Sequence, residues 1–190
     1  WFRGPHDKYL FRNLGNKEVF YNNQVIRLLQ NYRSVYMQLA VHHFMDFQKL
    51  QVSKKMDAAE IKRAKVEDVL DMMSENLPEN PIRMDNRDLH YQVGRLYMGI
   101  GNKEKFKAVL SILMKRNDNT VRHRVEYAQS YLELEEFETS LPILKNLYNG
   151  YNSVEAKILA SGRERKNVNT QMWNQYRKHY PDIVSQLVIN

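Results

Sequence analysis

Six histidines, 22 acidic residues and no cysteine are the raw material for chemistry in this 190-residue chain. Without cysteine there is no disulfide, no thiolate nucleophile and no cysteine-ligated zinc. His42 and Asp46 lie four residues apart and share a face of any helix that carries them, as do His43 and Phe47. Two potential ligands fall short of a zinc site, and neither an HExxH pattern nor a third carboxylate completes the set. His90 and His123 stand where helices are expected to begin, which suits local hydrogen bonding. Gly99-Ile100-Gly101 is placed to end a helix, whereas a phosphate-binding loop opens one. No Gly-x-Ser-x-Gly elbow occurs, and Glu135-Glu136 reads as a solvated turn. These residues predict no catalytic group, no metal and no small-molecule cofactor.

The elements that would carry them are helices. Hydrophobic content of 43% with 27% charge belongs to a folded chain, and five prolines and seven glycines leave long runs of helix formers. The net charge of +7 and pI near 9.5 permit binding to an anionic partner. Yet Lys54, Lys55, Lys62, Arg63 and Lys65 are interspersed with Asp57, Glu60, Glu67, Asp68, Asp71 and Glu75, the pattern of a solvated helix face. No aromatic and basic platform for stacking bases accompanies them, so no nucleic acid is expected. No apolar run approaches the roughly 20 residues of a membrane span, and no signal peptide is seen. The opening Trp1-Phe2-Arg3-Gly4-Pro5 lacks a methionine and reads as part of a longer or processed polypeptide.

A repeat organises the centre. A 34-residue shift carries Val93 onto Tyr127, Gly94 onto Ala128, Tyr97 onto Tyr131, Leu110 onto Leu144 and Leu113 onto Leu147. Large falls on large and small on small. Helical hairpins stacked side by side require this, because the small residue lets two helices approach while the aromatic fills the gap to the next hairpin.

Taken in order, residues 1–21 form an extended lead-in, with Trp1, Phe2, Tyr9, Leu10, Phe11 and Leu14 apolar enough to pack on the helices. Asn22 or Asn23 caps a helix to about Leu50, its inward stripe Val25, Ile26, Leu29, Tyr32, Tyr36, Leu39, Ala40 and Phe44, with Asn31 or Ser34 as points of interruption. Asp57 and Glu60 have the form of a capping box for a helix that buries Ile61, Ala64, Val69, Met72 and Met73 and stops before Pro78. Asp85 caps the next helix, with Leu89, Val93, Leu96 and Tyr97 inward; Gly101-Asn102 turns, and Phe106, Val109, Leu110 and Leu113 return. Asn117-Asp118-Asn119-Thr120 ends that pair and caps the second copy, with Val125, Ala128, Tyr131 and Leu132, the Glu135-Glu136 turn, then Phe137, Leu141, Leu144 and Leu147. Asn149-Gly150 and Asn152-Ser153 separate a shorter helix to about Arg165, and Thr170 opens last pieces with Met172, Trp173 and Tyr176 buried and Pro181 cutting off a tail. Aligning Leu39-Ala40 with Val93-Gly94 and Val66, Leu70 and Met73 with Phe106, Leu110 and Leu113 leaves 14 extra residues, about two turns on each helix. The domain is therefore a 22–190 array: an elongated hairpin 22–77, repeats 85–116 and 119–149, and a degenerate capping copy 153–190.

Gly94, Tyr97, Gly101-Asn102 and Leu110 resemble the tetratricopeptide pattern, although the early tryptophan is absent, Phe106 and Ser140 replace its alanine, and Asp118 stands where it has proline. The resemblance implies an all-α fold, a right-handed α-α superhelix of helical hairpins with the first hairpin elongated, and a role in binding proteins. The run Tyr21-Asn22, Leu28-Leu29-Gln30-Asn31-Tyr32-Arg33-Ser34 and Leu39-Ala40 is similar to the C-terminal region of bacterial polytopic membrane proteins of the protein O-mannosyltransferase-like type. That similarity implies a soluble module on the extracytoplasmic, periplasmic face of the membrane, joined to a transmembrane part of the same polypeptide and carrying none of the transferase's catalytic residues. Without it, a cytoplasmic location is the default.

In such arrays the first helix of each hairpin lines a concave groove. The expected lining is Met37, Val41 and Phe44, then Tyr91, Arg95 and Met98, then Arg122, Gln129 and Leu132, with Arg163 and Lys166. Arginine among aromatic and methionine side chains suits an extended, acidic peptide or protein segment, because guanidinium pairs bidentately with carboxylate. The expected function is a non-catalytic interaction scaffold. The alternatives are a nucleic-acid-binding helical repeat using the basic surface, or a small metal-dependent hydrolase at His42.

Overall fold

The computed structural model describes residues 14–160 and 170–189, which hold seven α-helices and, among the described residues, no strand. They are α1 (Asn23–Val52), α2 (Met56–Asn76), α3 (Arg87–Gly99), α4 (Lys103–Met114), α5 (Val121–Glu133), α6 (Phe137–Ala160) and α7 (Thr170–Ile189). The described helices include none long and apolar enough to cross a membrane. The chain forms two compact units, residues 1–109 and 110–190, with the boundary inside α4. In the first, α1 packs along α2 and both meet α3; in the second, α5, α6 and α7 all pack on one another. Of the lead-in, residues 1–13 lie outside the described residues; within 14–21, Leu14 and Tyr21 are half-buried and Phe20 is 90% exposed.

Helix bounds recur as the side chains do. Arg87 to Val121, Gly99 to Glu133 and Lys103 to Phe137 are the same 34-residue step. The turn recurs in finer detail and extends to the first hairpin. Lys54, Gly101 and Glu135 have φ of 55°, 84° and 62°. Each donates its amide to the carbonyl three residues back, Gln51, Met98 and Leu132, at 2.9 Å. The next amide, of Lys55, Asn102 and Glu136, reaches five back to Leu50, Tyr97 and Tyr131, at 3.0, 2.8 and 2.8 Å. One left-handed residue thus satisfies carbonyls left open at each helix end.

Counting from this turn places Phe47, Gly94 and Ala128 at one position and Ala59, Phe106 and Ser140 at its partner across the hairpin; all six are buried. A Cβ on Gly94 would stand 2.9 Å from the Phe106 ring and 3.0 Å from Val109. So the ring of Phe106 occupies space that Gly94 vacates. In the next hairpin Ala128 regains a Cβ, and the facing residue shrinks to Ser140, whose hydroxyl donates to the Ala128 carbonyl at 3.1 Å. The Leu39-Ala40 alignment is replaced by this one. The extra length of the first hairpin is real, 30 and 21 residues against 13 and 12, but it lies at the ends away from the turn.

Other differences have local causes. Asn22 caps α1 through its side chain, accepting from Val25 N at 2.9 Å, but α1 runs unbroken through Asn31 and Ser34; the Ser34 hydroxyl folds back onto the Gln30 carbonyl. Asp57 does not cap α2, which begins at Met56, two residues after the left-handed Lys54 and with Lys55 at its N-cap; Asp57 lies in its first turn, and Glu60 holds Arg63. The buried face of α2 is Ala59, Val66, Val69, Leu70 and Met73, leaving Ile61 and Ala64 exposed. Asn86, not Asp85, caps α3, and Thr120 with His123 forms the capping box of α5. Phe137, first residue of α6, precedes the crossing and is 51% exposed.

α6 does not break at Asn149–Ser153. A Cβ on Gly150 would collide with the Tyr176 hydroxyl and stand 2.9 Å from its Cζ, so the glycine marks a close approach of α7 rather than a helix end. Beside it Tyr151 stacks on Tyr180 at 4.0 Å and on Trp173 at 5.3 Å. α7 likewise continues through Pro181, and burial of Ile183 beyond it offsets the lost amide bond. Met172 is 46% exposed rather than buried, and residues 161–169 of the expected capping copy lie outside the described residues.

The shared turn predicts opposite effects at equivalent positions. Glu135→Gly relieves a left-handed side chain and should raise unfolding free energy by about 1 kcal/mol, whereas Gly101→Ala, with no atom within 4 Å of the new Cβ, should lower it by about as much. Urea denaturation of both variants checks the pair.

Candidate interaction surface

The expected lining falls into separate groups. Met37 is 4% exposed and belongs to the core of α1, so it offers no surface. Phe44 is half-buried because its ring covers Gly99, where a Cβ would stand 2.6 Å from Cζ, and Val41 is 40% exposed. Tyr91 and Met98 are half-buried and Arg95 exposed on α3. On α5, Arg122 and Gln129 are exposed and Leu132 half-buried; Arg122 pairs with Glu126 at 2.7 Å. Arg163 and Lys166 lie outside the described residues.

What the structure brings together is a patch on α3 and α4. Tyr91 and Arg95 stand one turn apart, with the Tyr91 ring 6.5 Å from that of Phe106 and the Arg95 guanidinium 5.6 Å over the same ring. The cation–π contact contributes about 0.5–1 kcal/mol at an exposed site and pre-orients the guanidinium. Phe106 reaches them because Gly94 lets its ring lie between the helices. In the second copy these positions hold Val125, Gln129 and Ser140, so that copy has no such platform.

The histidine group is weaker. Donor atoms of His42, His43 and Asp46 lie within 4.8 Å of one another, all on α1. The Asp46 carboxylate is 3.7 Å from His42 Nε2, but the Lys62 ammonium sits 2.6 Å from the same oxygen, and its hydrogen bond is the main reason Asp46 titrates below the usual range. His43 Nδ1 is buried without a partner among the described residues; burial, then Lys62 and Lys65, depress its pKa and keep it neutral. A divalent cation here would meet an ammonium where it needs a carboxylate.

A network with no signature in the sequence surrounds Arg33, 1% exposed on α1. Its Nη2 donates to the Leu77 carbonyl at 2.9 Å and to that of Ile82, and its Nη1 to Gln30 Oε1 at 3.1 Å. Gln30 Nε2 in turn donates to the Arg83 carbonyl at 2.8 Å. Burial lowers the Arg33 pKa, opposed by Glu79 and Asp85. The segment joining α2 to α3 is thereby fastened to α1, and Gln30 and Arg33 of the Leu28–Ser34 run have a structural use. A second clasp ties Asp71 on α2 to Lys105 Nζ at 2.6 Å and to the Tyr97 hydroxyl at 2.9 Å, while Glu67 takes Asn102 Nδ2 at 2.7 Å. Burial and the Asp71 carboxylate raise the Tyr97 pKa, leaving the phenol a donor.

Two open cavities are formed within the units. One, about 320 Å³, lies by Phe47, Met56, Arg63 and Met98; the other, about 290 Å³, by Thr120, Arg124, Met172 and Gln175. The second had no signal in sequence, because α7 stands outside the 34-residue register. In comparisons with family models, curated proteins and solved structures, the chain matches none.

Arg33→Leu strands two carbonyls of the connecting segment. It should cost about 3 kcal/mol and speed amide exchange over residues 77–86 while leaving that in α5 and α6 unchanged.

Proposed function

We infer that this chain is a non-catalytic interaction module, an all-α tetratricopeptide-like right-handed superhelix whose ligand is an extended acidic segment of protein or peptide. The observation that carries the reading is the guanidinium of Arg95 seated over the Phe106 ring beside Tyr91, a cation held in place beside apolar surface. An acidic side chain gains a fixed donor fork there, and an apolar neighbour gains the flank of Tyr91 and Met98. The recurrence of helix bounds and turns at one constant offset supports the repeat architecture on which such modules are built. The Tyr21 to Ala40 run supports attachment to the membrane part of a glycosyltransferase-like polypeptide and a place on the extracytoplasmic side.

Fluorescence anisotropy with labelled acidic peptides of about ten residues tests the module. Binding that weakens with added salt is expected, and Tyr91→Ala with Arg95→Glu should weaken it at least tenfold, about 1.4 kcal/mol, with the helical circular-dichroism signal intact. Equal binding by the double variant, or no peptide bound at low salt, overturns the proposal. A generic oligonucleotide binding more tightly than the peptides would favour the nucleic-acid alternative.

A further inference from the structure

The core face of α1, with Leu29, Arg33, Tyr36, Ala40 and Phe47 buried, accounts for only one side of the helix. A second apolar stripe runs along the other side: Leu28 54% exposed, Val35 50%, Val41 40%, Met45 51% and Val52 85%. Its members keep heptad spacing. Leu28, Val35, His42 and Lys49 follow at steps of seven, and Asn31, Gln38, Met45 and Val52 stand three after each; all eight are exposed. No carboxylate interrupts these positions. Four of the eight are apolar, Leu28, Val35, Met45 and Val52, and four polar, Asn31, Gln38, His42 and Lys49; exposed apolar side chains gathered on one side of a helix mark an interaction site.

The order of residues along the stripe says what fits it. When two copies of a heptad stripe pair antiparallel, each first-series position meets a second-series position of the other copy. About a two-fold axis near residue 40, Leu28 meets the partner's Val52 and Val35 meets the partner's Met45. Gln38 then meets the partner's His42, and Asn31 meets the partner's Lys49. Apolar faces apolar and polar faces polar in every layer, and no two like charges are opposed. Val41, flanking the stripe, falls beside its own copy at the axis. A parallel pairing would instead put Lys49 against Lys49. We propose that α1 is a homodimerisation helix, joining two copies of this chain antiparallel through the Leu28–Val52 stripe. At 1.5 Å per residue the stripe is about 36 Å long, which sets the pair at the small end of specific interfaces and makes the dimer reversible.

Sedimentation equilibrium from about 5 to 500 µM tests this. The mass should rise from 22.7 kDa towards twice that value with concentration. Val35→Glu alone and Met45→Lys alone should each hold the chain monomeric throughout, with unchanged helical circular dichroism, since both positions are exposed. The double variant Val35→Glu/Met45→Lys sets opposite charges across the axis twice and should restore the dimer, in a salt-sensitive form. A wild-type mass that stays at the monomer value at every concentration, as when another segment covers the stripe, overturns the proposal. So does association that both single variants leave intact, or that the double variant fails to restore.

Discussion

Where the two helices of a hairpin cross, the side chains that meet must divide the space between them, and much of this structure follows from how they do so. The left-handed residue at each turn, Lys54, Gly101 or Glu135, sets the register, so the same two positions meet the crossing in every hairpin. Seven residues before it comes Phe47, Gly94 or Ala128, and five after it Ala59, Phe106 or Ser140. Large with small, none with large, and small with small are three solutions to one steric problem. At the Gly94–Phe106 crossing close packing makes the exchange compulsory, because an interior at crystal-like density does not absorb an extra ring; at the third crossing, which has no ring, the Ser140 hydroxyl holds the Ala128 carbonyl instead.

This explains how Phe106 and Ser140 are each accommodated at the crossing, one over a glycine and the other against an alanine. It also links packing to recognition. The Phe106 ring that lies over Gly94 is wholly buried, and Tyr91 and Arg95 are assembled against it. In the elongated first hairpin α1 is 30 residues long, and the side opposite its buried face carries the exposed Leu28–Val52 stripe.

Sequence made some of this legible and hid the rest for physical reasons. That caps lie within Asn22–Asn23 and Asn117–Thr120, and that the chain turns at Gly101, could be read because each depends on neighbours in the chain; the structure selects Asn22 and Thr120. Lys54 and Glu135 could not be read as left-handed residues, since neither residue type favours that region and only the hairpin's closure holds them there. Asn149–Ser153 and Pro181 look like helix ends because local preference says so; contacts of Gly150 with Tyr176 and burial of Ile183 override it. For the surface, α3 was the informative part: Tyr91 and Arg95 fell on one face as expected from their spacing. Met37 was misplaced because α1 carries two apolar stripes, and periodicity alone does not say which of them turns inward. Arg33 was invisible as a clasp because its partners are backbone carbonyls 44 and 49 residues away.

The sharing of the crossing volume is most directly tested by moving one hairpin's solution into another. Ser140→Phe should destabilise the chain by overpacking against Ala128, and adding Ala128→Gly should recover much of the loss, as Gly94 does for Phe106. In a double-mutant cycle measured by urea denaturation, the account predicts a favourable coupling of about 1 kcal/mol or more between the two substitutions. Additive effects, with Ala128→Gly only weakening the Ser140→Phe chain further, would contradict it.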